Sequence, residues 1–113
     1  MSEGRISFED FSKIEMQVGE IITAENHPKA DKLTVLQVKL GDETRQIVAG
    51  LRPYRPDNSS LVGAKIIVVT NLEPAKLRGV ESNGMLLAVG GKEDQPFALL
   101  TVDRDVPSGL KVL

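Results

Sequence analysis

A polar segment between two apolar runs holds the side chains best suited to chemistry in this sequence. It reads NLEPAKLRGVESNGMLL and covers residues 71–87. Lys76 and Arg78 are two positions apart, so an extended backbone would place both cations on one side, where they could contact phosphate groups. Gly79 and Gly84 would allow the close approach of a ligand. The same residues would also suit a solvated, hairpin-like loop with ordinary turn residues.

Few residues could support catalysis or hold a metal ion. The 113 residues include one His and no Cys, which excludes disulfides and thiolate metal sites. His27 precedes Pro28 in a predicted loop, and we interpret it as a structural residue rather than a general base. The sequence contains no phosphate-loop or dinucleotide fingerprint. We therefore expect a protein that is not an enzyme and that has no cofactor and no metal site.

The charges are distributed unevenly along the chain, whose net charge is -2. Residues 29–78 contain nine Lys or Arg and five Asp or Glu, a net charge of +4, whereas the two flanks together carry -6. Such asymmetry could form a basic face on an acidic protein, although chance clustering would give the same counts. With only three Phe and one Tyr, a generic single-strand binder that stacks bases on aromatic rings is disfavoured. Recognition of the shape and backbone of a folded RNA fits the composition better.

These side chains must be positioned by a predominantly β chain. Ser7 and Asp10 have the spacing of a helix N-cap and its capping-box partner, which predicts a short N-terminal helix. Short runs with the alternation typical of strands follow, most clearly at Leu36, Val38 and Leu40. A hairpin, a connection with a helical turn and then further strands is the order expected of an OB-fold. We predict an all-β fold: a five-stranded OB-fold barrel with a short N-terminal helix and extra C-terminal strands.

The length of the chain fits a single domain. Residues 1–5 are predicted to be a flexible leader, and residues 6–113 to be the domain. The polar, acidic N-terminus is unlike a signal peptide, and no apolar run approaches the roughly 20 residues that a membrane span requires. We therefore expect a cytoplasmic protein that does not associate with membranes.

Four blocks of the sequence resemble those of a known family, in the family's order. They are VGEI at 18–21, HPKADKL at 27–33, IVAGL at 47–51 and NLEPAKLRGVESNGMLLA at 71–88. By these blocks the sequence is identified as a member of the tRNA-binding OB-fold domain family, and the resemblance covers roughly residues 6–113. The family includes the C-terminal domain and the separately encoded beta chain of methionyl-tRNA synthetase, and free-standing structure-specific tRNA-binding proteins.

The resemblance implies a function, partners and a set of site residues. Members perform no chemistry, recognise folded tRNA by its shape and backbone, and raise the tRNA affinity of a synthetase. They are generally homodimers, so the implied partners are tRNA, a second copy of the chain and, for a beta chain, the catalytic chain of methionyl-tRNA synthetase. The implied tRNA-facing residues are Lys76, Arg78, Ser82 and Met85, supported by Asn71 and Lys32.

The sequence leaves open two alternative functions, the placement of Met85 and the dimer interface. One alternative function is that of a purely structural dimerisation domain. A second branch of the family, an export-associated chaperone with the same barrel, has been linked to peptide binding, but the intact blocks at 27–33 and 71–88 look more like the tRNA-binding branch. Met85 could contact RNA or pack in the core. The dimer interface is expected in the C-terminal strands after Pro96, because FALLTV and LKVL are apolar.

Overall fold

A computed structural model describes residues 4–113 of the chain. Residues 1–3 of the predicted leader at 1–5 lie outside the described residues. Within the described range, the helices and strands in chain order are α1 Phe8–Phe11, β1 Met16–Asn26, β2 Thr34–Leu40, β3 Glu43–Ala49, a 3₁₀ turn Asn58–Ser60, β4 Lys65–Val69, β5 Ala75–Leu77, β6 Val80–Ser82, β7 Met85–Leu86, β8 Ala88–Val89 and β9 Ala98–Leu99.

The predicted N-terminal helix is present as α1, which is four residues long. The Ser7 hydroxyl accepts a hydrogen bond from the Asp10 backbone N–H at 3.0 Å, so the predicted cap is confirmed. No residue of this helix is buried. None of the helices found in residues 4–113 is long and apolar enough to cross a membrane.

Five strands form one curled antiparallel sheet in the order β3-β2-β1-β4-β7. Strand β2 shows the predicted alternation, since Leu36, Val38 and Leu40 are all buried on one face. Strand β1 pairs with both β2 and β4, and a bulge after Ile21 shifts its register with β2. Such a bulge bends a strand and increases its twist, which helps the sheet to curl. The predicted OB-like architecture, with its short helix and small extra C-terminal strands, is confirmed.

The two edges of the sheet meet through the segment at residues 81–83. The Val48 N–H donates to the Ser82 hydroxyl at 2.9 Å. The Asn83 N–H donates to the Gln46 carbonyl at 2.7 Å, and the Gln46 side-chain amide donates to the Glu81 carbonyl at 2.8 Å. These bonds also fasten the base of the β5–β6 hairpin to the barrel, so the hairpin projects from a fixed platform.

The interior of the barrel is a compact apolar cluster. A Cβ atom at Gly19 would lie 2.6 Å from Cγ1 of Val38, so a side chain at this position of β1 would force its neighbours to shift. Each fully buried aliphatic side chain contributes about 1.5–3 kcal/mol to folding, and this cluster therefore holds the surface loops on a rigid scaffold. Its members are Ile21, Leu36, Val38, Leu40, Ile47, Leu51, Leu61, Ile66 and Val68.

Candidate nucleic-acid interface

The β5–β6 hairpin presents Arg78 at its tip. Leu77 pairs with Val80, so Arg78 and Gly79 form a two-residue turn, with φ angles of 53° and 89°. Positive φ at both central residues is the requirement of a type I′ turn, whose twist matches that of a hairpin. The expectation that Lys76 and Arg78 share one extended segment is therefore wrong, because the chain reverses at Arg78 while Lys76 lies within β5.

The two cations of the hairpin have different electrostatic surroundings. Lys76 lies directly opposite Glu81 in the β5–β6 pair, and both side chains are exposed. The Glu81 carboxylate lowers the positive potential at Lys76, whereas Arg78 has no cross-strand partner because it lies in the turn. Arg78 is therefore the better placed of the two to bind a phosphate.

His27 connects the loop at residues 27–33 to this hairpin. Its side chain is buried, with 4% of its surface exposed. Nε2 lies 2.9 Å from the Leu77 carbonyl oxygen, and Nδ1 accepts a hydrogen bond from the Lys29 backbone N–H at 2.9 Å. Since a carbonyl oxygen can only accept, the ring must be neutral with its proton on Nε2 to make both bonds. The predicted structural role of His27 is confirmed.

The loop at 27–33 brings two more cations beside the hairpin tip. Lys29, Lys32 and Arg78 line an open cleft of about 420 Å³, together with one acidic residue, Asp31. Within residues 4–113, none of these three cations forms an ion pair. The cleft therefore carries an excess of positive charge that could receive a phosphate group. We refer to these four residues as the basic cleft.

The two supporting residues implied by the resemblance lie in different places. Lys32 lines the basic cleft, next to Arg78. Asn71 follows β4, and its amide is used within the protein: Oδ1 accepts from the Glu15 N–H at 2.9 Å and Nδ2 donates to the Lys13 carbonyl at 2.6 Å. These bonds fasten the segment before β1 to the end of β4. Such a geometry suits a supporting role for Asn71 rather than a direct contact with a ligand.

Ser82 is buried at the base of the hairpin. Its hydroxyl accepts a hydrogen bond from the Val48 N–H at 2.9 Å and donates to the Gly84 carbonyl at 3.2 Å. The proton of the hydroxyl is therefore already used inside the barrel. A direct contact between Ser82 and tRNA stays a prediction, and the geometry favours a role in closing the barrel and anchoring the hairpin.

Met85 lies on the surface and not in the core. It pairs with Val69 across β7 and β4, and 49% of its surface is exposed. Its side chain borders two shallow grooves, one of which also includes Leu77 and Ala75 from the hairpin. The core-packing alternative is therefore wrong, and the flexible thioether is available to a ligand or a partner.

An apolar surface extends from Met85 to the N-terminal helix. One groove of about 570 Å³ is lined by Phe11, Ile14, Leu72 and Met85 among others. A second groove shares Phe11 and Ile14 and is completed by residues from the helix and the C-terminus, Phe8, Val112 and Leu113. The name apolar surface is kept below for these seven side chains.

Sequence reasoning did not single out Lys29 or predict that the 27–33 loop touches the hairpin. A partial signal was available, because HPKADKL contains two Lys three positions apart around a single Asp. What the sequence could not indicate is the long-range bond from His27 that places this loop beside Arg78.

Among the described residues, no group of three or more His, Asp or Glu side chains could hold a metal ion.

The comparisons of sequence and the comparisons of structure with known proteins agree with one another. Residues 16–111 match the family model described as "Putative tRNA binding domain". The methionine–tRNA ligase of Deinococcus radiodurans is 49% identical over 98% of this chain, which spans 16% of the length of that ligase.

Two solved structures have the same fold. A MetRS related protein from Pyrococcus horikoshii superimposes with a TM-score of 0.87 and 38% identity, over 96% of this chain and 98% of that chain. The chaperone CsaA from Bacillus anthracis superimposes with a TM-score of 0.82 and 26% identity, over 96% of this chain and 99% of that chain. The chain belongs to the tRNA-binding domain family.

Proposed function

We propose that this chain is a non-catalytic module that binds folded tRNA through its phosphate backbone. The observation that carries the proposal is the basic cleft, where Arg78 at the hairpin tip lies beside Lys29 and Lys32 on the neighbouring loop. Cations held in this way bind phosphates without reading the sequence of the bases. Recognition of tRNA would then depend on the shape in which its phosphates are arranged.

The absence of catalysis is part of the proposal. The single His of the chain uses both ring nitrogens in internal hydrogen bonds, so it is not free to transfer protons to a substrate. The chain also corresponds to only 16% of the matching ligase. We propose that residues 6–113 form a tRNA-binding OB-fold domain that serves methionyl-tRNA synthetase, as its beta chain or C-terminal domain, and raises its tRNA affinity in the cytoplasm.

We further propose that the protein is a homodimer that associates through the apolar surface. Phe8 is 82% exposed, and Phe11 and Ile14 are each 44% exposed. Monomeric soluble proteins rarely expose contiguous apolar patches larger than a few hundred Å². The C-terminal residues after Pro96, where the sequence predicted the interface, contribute Val112 and Leu113 to this surface. A dimer would double the number of cations offered to one tRNA and so raise its affinity.

The dimer is tested by replacing Phe8 with Asp. Because Phe8 lies on the surface, the monomer should fold as before, while a buried charge would prevent association. Light scattering should then show a monomer, and tRNA affinity should fall. The matched control is Val62→Asp, since Val62 is also exposed and lies outside the apolar surface. A wild-type protein that is monomeric at micromolar concentration would contradict the dimer.

The tRNA function is tested by titration of the protein against folded tRNA, unfolded RNA and duplex DNA at several salt concentrations. We expect folded tRNA to bind most tightly. Arg78→Ala should weaken binding to several tRNAs equally and should lower the salt slope by about 0.7–0.9, the value for one phosphate contact. The matched control is Lys39→Ala, an exposed Lys near the opposite end of β2 from the 27–33 loop. An unchanged affinity of the Arg78→Ala protein would refute the proposed site.

A second candidate function is that of a peptide-binding chaperone. The observations in its favour are the likeness to the chaperone CsaA and the exposed apolar surface, which could hold an unfolded segment. We rank it second because the basic cleft has no role in it. Suppression of the aggregation of an unfolded client protein, without measurable tRNA binding, would favour the chaperone over the tRNA-binding module.

A further inference from the structure

We propose that His27 is a positioning residue of the tRNA site, and that Lys29, Lys32 and Arg78 act as one phosphate-binding unit only while His27 joins them. The proposal rests on the proposed tRNA function and deepens it. It concerns a buried side chain that itself touches no ligand. Its effect would be exerted through the backbone of the 27–33 loop.

Among the described residues, a single hydrogen bond joins the loop to the hairpin. Within residues 4–113, the bond from His27 Nε2 to the Leu77 oxygen is the one hydrogen bond that joins loop 27–33 to hairpin 75–82. It joins residues 50 positions apart. Leu77 immediately precedes Arg78, so the bond holds the backbone at the hairpin tip. Loss of this bond would therefore release the tip from the loop while both remain attached to the barrel at their bases.

The loop is closed by hydrogen bonds that involve His27. The Nδ1 atom of His27 accepts from the Lys29 N–H. The His27 N–H donates to the Leu33 carbonyl at 3.1 Å, and the Leu33 N–H donates to the Ala30 carbonyl at 3.2 Å. These three hydrogen bonds lie within the loop, and the bond between His27 and Leu33 links its two ends. The orientation of the His27 ring therefore influences the positions of Lys29 and Lys32.

The electrostatics of the basic cleft oppose its assembly. Three cations that share one cleft repel one another, and the single carboxylate of Asp31 offsets only part of this repulsion. Without the bond from His27, the repulsion would favour separation of the loop from Arg78. A phosphate would then have to bring the two parts together, at a cost in conformational entropy that reduces affinity.

Two replacements of His27 separate its two hydrogen bonds. Gln places an amide nitrogen near the position of Nε2 and can still donate to the Leu77 oxygen. Asn places an amide oxygen near the position of Nδ1 and can still accept from the Lys29 N–H, but it does not reach the hairpin. Both remove the same aromatic ring, so each is the matched control of the other.

We expect His27→Gln to keep most of the tRNA affinity of the wild type, because it keeps the bond to the hairpin and loses only the bond to the Lys29 N–H. His27→Asn should bind about tenfold more weakly and should show a salt slope lower by about one unit, because one phosphate contact is lost. Thermal unfolding of both variants serves to check that each is folded. Equal tRNA affinity and equal salt slopes of the two variants would overturn the role of His27, while leaving the tRNA function in place.

A double-mutant cycle keeps the proposal testable if His27→Asn does not fold. Lys29→Ala and Arg78→Ala replace exposed side chains and should leave the fold intact. If the cations form one unit, the fold-loss of tRNA affinity in the double variant should be smaller than the product of the fold-losses in the two single variants. Independent, multiplicative losses would overturn the proposal. A wild-type protein that does not bind tRNA would overturn both this inference and the proposed function.

Discussion

Replacing Arg78 with Asn should stabilise the protein and at the same time weaken its binding of tRNA. Arg78 has a φ of 53° in the β5–β6 turn. The left-handed region costs an ordinary L-residue about 1–2 kcal/mol, whereas Asn followed by Gly is a favoured pair for this type of turn. The exposed Arg78 side chain forms no ion pair within residues 4–113, so its removal should cost the fold little.

The two effects have different magnitudes and can be measured separately. We expect a gain of about 1 kcal/mol in the free energy of unfolding from relief of the backbone strain, which corresponds to a rise of about 4 °C in Tm. Loss of a hydrogen bond to a charged phosphate costs about 1.5–3 kcal/mol, so tRNA affinity should fall by about tenfold or more. The salt slope should fall by about 0.7–0.9.

The assay combines thermal unfolding with tRNA titration at several salt concentrations. Arg78→Ala and Arg78→Lys serve as matched controls. Ala removes the positive charge but keeps the strained backbone, whereas Lys keeps the positive charge and the strained backbone. We expect only Arg78→Asn to raise Tm. Both Arg78→Asn and Arg78→Ala should bind tRNA more weakly than the wild type. A lower Tm for Arg78→Asn would refute the argument from backbone strain, and an unchanged tRNA affinity would refute the role of the cation.

Two further predictions concern charged residues outside the basic cleft. Glu81→Gln should raise tRNA affinity about two- to fivefold at low salt and less at high salt, because it removes a carboxylate opposite Lys76. The control is Glu93→Gln, which removes a carboxylate from a different turn. An equal gain in tRNA affinity from Glu93→Gln would contradict a local effect of Glu81. Lys65 donates a hydrogen bond to Asp105 at 2.8 Å, and this bond and the charge of Lys65 hold the pKa of the Asp105 carboxyl below its ordinary value of 3.8. A carboxyl with a lowered pKa contributes stability that is present above its unfolded pKa and is lost as the pH falls through its folded pKa. Asp105→Asn should therefore flatten the decline of Tm below about pH 3.8, and parallel declines for mutant and wild type would contradict this.

The parts of the fold that depend on neighbours in sequence were predictable. The cap formed by Ser7 joins residues three positions apart. The buried face of β2 follows from the alternation of side chains along a strand. A hairpin-like loop was one of the two interpretations of the segment that holds Lys76 and Arg78, but the position of its turn was not predicted, because Arg-Gly is not a usual sequence for a type I′ turn.

The parts of the site that depend on distant residues could not be derived from local patterns. Ser82 is suited by type to contact a phosphate, but its hydroxyl is used by the Val48 N–H, 34 positions away in sequence. His27 lies in a loop, as predicted, but it is buried and bonds to a hairpin residue 50 positions away. In both cases the internal partner could not be found from the sequence, because it is set by the closure of the barrel.

The hairpin tip is the place where the sequence departs from what the local backbone prefers. Asn would suit the turn position of Arg78 better, yet a cation occupies it, in a conformation that costs energy and that persists only where the surroundings enforce it. Those surroundings are the β5–β6 pairing on one side and the His27 bond on the other. Arg78 is exposed and its side chain has no partner in residues 4–113, so a contact with a ligand would account for a strained cation at this position. The same strain makes Arg78 the residue at which stability and tRNA binding should change in opposite directions.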